Sequence, residues 1–136
     1  MSDVQRFLLL RAGTQHYALP FEQVAEVTEL RPLAPVPRAP AWCPGASRSA
    51  GTIVAVVDLA AYHGEEPEPH PEKLVVLDLR LGGLALLVGP VQGLTLEAPI
   101  RLEQDAYGTW LVTPAARAEL LDARELLEEI SAAMSR

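Results

Sequence analysis

Residues with the chemistry for catalysis or metal binding are few in this chain and lie far apart in sequence. The three histidines are His16, His63 and His70, and none belongs to an HExxH motif or to another closely spaced pair of metal ligands. The single cysteine, Cys43, excludes both an internal disulfide and a cysteine-based zinc cluster, and this cysteine usage is typical of the cytoplasm. We therefore predict no metal site and no cofactor.

Two glycine-containing segments have only a superficial likeness to catalytic loops. A nucleophile elbow has the form G-x-S-x-G between a strand and a helix, whereas in residues 45–51 the second glycine is displaced and a strand follows. Residues 82–89 lack the lysine and the Ser/Thr of a phosphate-binding loop, so a hairpin turn explains their glycines better. The carboxylates of Glu65, Glu66 and Glu68 lie in a proline-rich loop that cannot hold an acid and a base rigidly. The sequence thus predicts a protein that is not an enzyme.

The composition excludes several classes of partner. The formal net charge is −7 and Lys73 is the only lysine, so the chain lacks the basic stripe with which proteins displace phosphate counterions. We therefore predict no binding to nucleic acid. No apolar run approaches the roughly 20 residues that cross a bilayer, and residues 1–4 do not begin a signal peptide, so we predict no membrane insertion and a cytoplasmic location. A chain of 136 residues is expected to form one domain, or two small lobes that share a core.

Short apolar runs that alternate with glycine turns predict a mostly β fold. Residues 7–12 and 15–19 flank Gly13-Thr14 as in a β-hairpin, and residues 74–79 and 84–88 flank Gly82-Gly83 in the same way. Between these hairpins, residues 52–57 are β-branched or apolar on both faces, which is typical of a central strand. The residues of this strand that we expect to be buried are Ile53, Val54, Val56 and Val57.

Two proline-rich segments separate the predicted strands. Residues 32–44 contain five prolines, which lack the N–H group that a β-ladder needs, and are therefore expected to form an extended connector. Residues 65–72 combine four carboxylates with three prolines, and we expect a solvated loop there. We place the division between two lobes near residues 64–72.

The C-terminal part of the sequence allows two different helices. The propensities of residues 113–119 favour a long helix that begins at Pro114 and continues to Met134. Asp122 instead favours a shorter helix, because its side chain can accept hydrogen bonds from the first free N–H groups. The residues alone leave both helix starts open.

With these elements placed, the order of the motifs resembles that of the CheW family. That family has an aromatic-x-x-Gly motif, then Asn-Leu-Arg-Gly, then an apolar strand that ends in Asp-Leu. In this chain the first motif is Trp42-x-x-Gly45, and only the glycine of the second is present, as Gly51. The apolar strand is residues 52–57, and Asp58-Leu59 follows it. Other pieces agree in order, namely the hairpin of residues 7–19, Val24-x-Glu26-Val27, Pro40-Ala41-Trp42, the segment 84–94 and Leu120-Leu121-Asp122. The resemblance spans nearly the whole chain.

The resemblance implies two packed five-stranded SH3-like β-barrels and a C-terminal α-helix. It implies a strand at residues 117–121, with the helix beginning only at Asp122. Because a missing strand would leave backbone groups of a barrel unpaired, we expect this arrangement and not the long helix. The resemblance also implies a scaffold in cytoplasmic chemoreceptor arrays. It would link the tip of a methyl-accepting chemoreceptor to the regulatory domain of a CheA-type histidine kinase, alongside other CheW-like proteins.

The chain departs from the family at positions that contribute to partner contacts. Asn-Leu-Arg-Gly is replaced by Arg48-Ser49-Ala50-Gly51, and Ala50 cannot make the charged contact of the family's arginine. We therefore predict a divergent accessory adaptor, such as the Frz type, whose contact with one partner, preferably the kinase, is weakened. The resemblance assigns partner binding to Val24, Glu26, Val27, Arg48, Ser49, Ala50, Leu86, Val88 and Leu94. Each apolar residue among these fits a core position equally well.

Other interpretations fit the same residues. A complete coupling protein would bind both the receptor and the kinase, and separate pull-downs with each partner would distinguish it from the accessory form. An unrelated SH3-like module would bind peptides or a small ligand in an open aromatic groove. A remnant enzyme would need a pocket lined by converging polar groups.

Overall fold

The computed structural model describes residues 5–96, 101–114 and 117–135, which form two β-sheets and a C-terminal helix. One sheet consists of β1 (Gln5–Ala12), β2 (Gln15–Pro20), β8 (Val91–Leu96), β9 (Arg101–Asp105), β10 (Gly108–Val112) and β11 (Arg117–Leu120). The other consists of β3 (Val24–Glu29), β4 (Gly45–Ser49), β5 (Thr52–Asp58), β6 (Lys73–Leu77) and β7 (Leu84–Val88). A short 3-10 helix (Phe21–Gln23), α1 (Leu59–Tyr62) and α2 (Ala123–Met134) connect or follow the strands. We call the two sheets the six-stranded lobe and the five-stranded lobe.

Each sheet mixes hairpins with one parallel pair. The six-stranded lobe has the order β8-β1-β2-β11-β10-β9, and the five-stranded lobe has the order β3-β6-β7-β5-β4. The pairs β2–β11 and β5–β7 are parallel, and the other neighbours are antiparallel. The predicted mostly β fold with two packed sheets and a C-terminal helix is confirmed, although one lobe has six strands where five were expected.

The main hydrophobic core lies between the two sheets and beneath α2. It combines buried residues of both lobes with the inner face of the helix, among them Leu10, Leu19, Val57, Val75, Leu86, Leu126 and Ile130. The far face of each sheet covers a smaller cluster of its own, formed by Val54, Val56, Leu74, Val76 and Ala85 in one lobe and by Phe7, Ala18, Leu111 and Ala118 in the other. Strand β5 therefore buries apolar side chains on both faces, as its sequence predicts.

Ile53 is an exception to the predicted burial of β5. Val54, Val56 and Val57 are buried, but 65% of the Ile53 surface is exposed, so this part of the prediction was wrong. The physical reason is the pairing of the strand: β7 pairs with β5 only from Ala55 onward, and Ile53 has a partner only in β4. The first residues of β5 thus extend beyond the part of the sheet that is covered.

The C-terminal helix begins where the shorter alternative places it. Residues 117–120 form β11, which pairs with β10 on one side and with β2 on the other. Asp122 is the N-cap of α2 and accepts hydrogen bonds from the N–H groups of Arg124 at 2.9 Å and Glu125 at 3.3 Å. The predicted strand and capped helix are confirmed. Among the described residues, no helix is both long and apolar enough to span a membrane.

Candidate protein-binding surface

Strands β3 and β4 are opposite edges of the five-stranded lobe, and polar side chains join them. The Ser49 hydroxyl donates to Glu26 Oε1 at 2.6 Å, and Arg31 Nη2 lies 3.4 Å from the same oxygen. Arg31 Nη1 also donates to the backbone carbonyl of Arg48. An unpaired strand edge would expose a row of backbone donors and acceptors. This polar bridge therefore ties together two edges that no backbone ladder joins.

The turn after β4 holds its first central residue in an unusual conformation. Ser49 and Thr52 are paired, and Ala50 and Gly51 between them have φ values of +49° and +79°. Positive φ at both central residues is the requirement of a type I′ turn, whose twist matches that of the flanking strands. Ala50 is exposed at the tip of this tight hairpin.

The partner-binding residues predicted on β3 and on the β4–β5 turn come together around this bridge. On β3, Val27 is 40% exposed, whereas Val24 is half-buried and packs against the main core. On β4, Arg48 is exposed and Ser49 is buried with its hydroxyl on Glu26. A register shift between Val24 and Glu26 pairs both valines with main-core residues of β6, Val24 with Leu77 and Val27 with Val75, so the two valines share a face and differ only in how far that face is covered.

The other predicted partner-binding residues do not join this surface. Leu86 and Val88 lie on β7, between β6 and β5, and their side chains are fully buried in the main core. This is the core alternative that their sequence left open, and it gives them a packing role. Leu94 belongs to β8, opposite Phe7 of β1, and its side chain lies outside what the structure describes.

Two exposed apolar features escaped the sequence analysis. Ile53 lies opposite Arg48 in the β4–β5 pair, which places an apolar side chain beside the polar bridge. A groove of about 590 Å³ on the six-stranded lobe is lined by Phe7, Phe21, Leu102 and Leu120, with Arg6, Pro20 and Glu22. Phe21 and Leu102 are each nearly half exposed. The sequence does not indicate this exposure, because apolar residues of strands are most often buried. Whether such a side chain is covered depends on the strands that lie beside it in the fold.

A further cluster of ionisable side chains lies away from this surface, at a cavity beside α2. Among the described residues, no group of three or more His, Cys, Asp or Glu side chains is arranged to hold a metal ion. The cavity, of about 490 Å³ between the β6–β7 turn and α2, is lined mainly by charged residues, namely Asp78, Arg80, Arg124 and Glu128, with Leu81 and Leu127. Asp78 and Arg80 are paired with one another at 2.7 Å, which lowers the pKa of this carboxyl. The pair thus neutralises its own charges at the rim of this cavity.

Comparisons with known proteins identify the family. The family model for the CheW-like domain matches residues 6–129. The crystal structure of the scaffolding protein TtCheW from Thermoanaerobacter tengcongensis is similar with a TM-score of 0.79, at 15% identity, over 93% of this chain and 94% of that chain. At this identity the likeness concerns the fold alone. No curated protein matches the chain significantly. Because the family model covers nearly the whole sequence, the chain belongs to the CheW-like domain family.

Proposed function

We propose that this chain is a non-enzymatic adaptor of bacterial chemosensory signalling. In this role it joins the cytoplasmic tip of a methyl-accepting chemoreceptor to the regulatory domain of a CheA-type histidine kinase, within cytoplasmic arrays that contain other CheW-like proteins. The observation that carries the proposal is the CheW-like match over residues 6–129. The two-lobed fold supports it, because two separate lobes offer surfaces for two partners.

One of these partner surfaces is the rim of the five-stranded lobe around the Glu26–Ser49 bridge. It combines the exposed apolar side chains of Val27 and Ile53 with the exposed Arg48. Apolar contacts surrounded by polar groups are the usual composition of a specific protein interface. Glu26 and Ser49 hold the two strands of this rim together, since the Ser49 hydroxyl donates a hydrogen bond to the Glu26 carboxylate.

The adaptor is further proposed to be an accessory member with a weakened contact to the kinase. The support lies at Ala50, which occupies the tip of the β4–β5 turn where the family has an arginine. A methyl group can form neither the charge-assisted nor the bidentate hydrogen bonds of a guanidinium. The anchoring contact of the family's arginine is therefore absent from the tip of this turn.

Titration calorimetry with each partner separately tests the proposal. We expect measurable binding of the receptor tip and weaker binding of the kinase regulatory domain. Micromolar or tighter kinase binding would favour the complete coupling protein, and binding of neither partner would refute the adaptor role. Val27→Asp should abolish binding at this rim without loss of the circular dichroism spectrum. Val24→Asp is unsuitable for this purpose because Val24 packs against the core.

A gain-of-function variant addresses the kinase contact directly. Ala50→Arg returns a guanidinium to the exposed tip of the turn, and we expect it to strengthen kinase binding by about tenfold, the equivalent of one charge-assisted hydrogen bond. The matched control is Ala41→Arg, which adds the same charge at an exposed position before β4. Equal effects of the two variants would show that only net charge matters and would remove the special role of residue 50.

A further inference from the structure

The acidic segment between α1 and β6 is fastened to the opposite lobe. Its sequence predicts a solvated loop, but only 8% of the Glu68 surface is exposed, so the prediction was wrong at this residue. Glu68 Oε2 accepts a hydrogen bond from Gly13 N at 2.6 Å, in the β1–β2 turn of the six-stranded lobe. Glu65 Oε1 accepts from the N–H group and the hydroxyl of Thr14, at 3.1 and 2.7 Å. Two carboxylates thus hold one turn.

The same segment is anchored to the five-stranded lobe at its other side. Asp58, the buried last residue of β5, accepts from Glu68 N at 3.0 Å and from Ala61 N at 3.1 Å. The N–H group of Glu72 donates to Val88 O of β7 at 2.9 Å. The prolines at positions 67, 69 and 71 fix the backbone φ angle between these anchors. The segment is therefore a stiff connection between two fixed points, one on each lobe.

The β1–β2 turn is shaped to receive these carboxylates. Gly13 has a φ of +61°, and a Cβ atom there would lie only 2.8 Å from both carboxylate oxygens of Glu65. A larger residue would therefore be strained at this φ and would displace the carboxylate of Glu65 from its place at the turn.

An aromatic contact joins the lobes beside the acidic segment. The Tyr17 hydroxyl of β2 and His63 Nδ1 share a hydrogen bond of 2.8 Å, and their rings stack with centroids 5.1 Å apart. Tyr62, the neighbour of His63, donates its hydroxyl to Glu129 of α2 at 3.1 Å. Burial raises the pKa of Tyr17 to about 12, with smaller contributions from the charges of Glu119 and Glu65. The tyrosine thus remains a neutral partner at any physiological pH.

Stability alone does not account for this arrangement. In the described part of the chain, neither Glu65 nor Glu68 forms an ion pair with lysine or arginine, and Glu65 Oε2 is buried without a hydrogen-bond partner. Burying a carboxylate that has no cationic partner is costly, and apolar residues would serve a merely stabilising contact better. Hydrogen bonds from defined backbone groups, in contrast, fix the position and direction of what they join.

We infer that residues 63–72 form a clasp that fixes the β1–β2 hairpin against the five-stranded lobe and thereby sets the orientation of one lobe relative to the other. The shared core holds the lobes together, and the clasp selects one arrangement of the hairpin on that core. For an adaptor that uses both lobes, this arrangement would set the angle between two partners, a consequence that rests on the proposed function. The clasp itself is independent of any partner.

Solution NMR on the full chain tests the clasp. The variant Glu65→Ala/Glu68→Ala removes both carboxylates that hold the turn, and Glu66→Ala/Glu72→Ala removes two exposed ones from the same segment as a control. Residual dipolar couplings of the wild type and the control should fit one alignment tensor for both lobes. In the clasp variant the two lobes should require different tensors, and exchange of the Gly13 and Thr14 amides should be faster by about tenfold or more.

One result would overturn the clasp without touching the adaptor role. A folded clasp variant with a single tensor and wild-type amide exchange at Gly13 and Thr14 would show that the carboxylates do not fix the hairpin. If the double variant does not fold, Glu65→Ala alone decides, because it leaves the buried Glu68 in place. Unchanged Thr14 exchange together with a single tensor in that variant would likewise overturn the inference, whereas faster exchange would support it.

Discussion

Replacing Ala50 by glycine should make the protein more stable, although the change removes a side chain. Ala50 has a φ of +49° at the tip of the β4–β5 turn. An L-residue with a Cβ atom in the left-handed region is strained by about 1–2 kcal/mol, and glycine is free of that strain. The variant Ala50→Gly therefore tests whether the turn stores strain at a position of the proposed partner surface.

The expected gain is the difference between two opposing effects. Glycine relieves about 1–2 kcal/mol of strain. It also gives the unfolded chain more conformational freedom, which costs about 0.4–1 kcal/mol. The net stabilisation is thus about 0.5–1 kcal/mol, or a rise in melting temperature of about 2–5 °C for a chain of this size. Ala50→Asn should also stabilise the protein, because asparagine tolerates positive φ and favours type I′ turns.

Thermal and urea unfolding of Ala50→Gly, with two matched variants, separates these effects. Gly51→Ala places a Cβ atom at a φ of +79° with no atom within 4 Å, so its cost is conformational alone. It should destabilise the protein by about 0.5–1.5 kcal/mol. Ala41→Gly, at an exposed loop position without positive φ, should be mildly destabilising. If Ala50→Gly lowered the melting temperature as Ala41→Gly does, the reasoning about strain in this turn would be refuted.

Three further experiments test the core, the lobe junction and the C-terminal helix. Leu86→Ala should lower the unfolding free energy by about 2–5 kcal/mol because Leu86 is fully buried. Ile53→Ala, at a mostly exposed side chain, should lower it by less than about 1 kcal/mol. Equal losses of the two variants in urea unfolding would contradict the burial pattern. His63 lies at the surface, but the part of its ring that stacks on Tyr17 is desolvated, and this desolvation lowers its pKa despite the nearby charges of Glu119, Glu129 and Glu65. The unfolded chain therefore takes up the proton first, and stability should fall as the pH drops below about 6.5. That loss should be smaller in His63→Asn than in the wild type and unchanged in a His16→Asn control, as followed by unfolding between pH 7 and 5. Asp122→Ala removes the N-cap of α2 and should cost about 0.5–2 kcal/mol in thermal unfolding; no loss would mean that the cap is not formed in solution.

Local sequence patterns were sufficient for the elements but not for the surfaces. The hairpins around Gly13 and Gly82 and the capped helix after Asp122 are encoded by short-range signals, and all three are present. The exposure of Ile53 and the burial of Glu68 depend instead on where another strand or turn lies. A sequence window holds no information about such long-range partners.

The residues of the predicted partner surface differ in exposure for one physical reason. Resemblance assigns positions along the chain, but burial is decided by the layer in which a strand lies. Strand β7 is central and covered on both faces, so Leu86 is a core residue. Strand β3 is an edge, and along it Val27 is 40% exposed while Val24 packs against the main core. Residues that a family resemblance assigns to partner binding are therefore more often exposed when they lie on an edge strand than on a central strand.

Strand β11 shows how far tertiary pairing can override local preference. Its sequence, Arg117-Ala118-Glu119-Leu120, contains good helix formers, and a helix there would gain tenths of a kcal/mol per residue. As a strand, it fills the space between β2 and β10, and Leu121 N continues the contact by donating to Ala18 O at 2.8 Å. A helix would leave the facing groups of two strands without partners, at about 1–3 kcal/mol for each buried group. Two or three such groups exceed the whole helical gain. The helix can therefore begin only after β11 has joined its two neighbours, and Asp122 marks that point because its side chain caps the first free N–H groups.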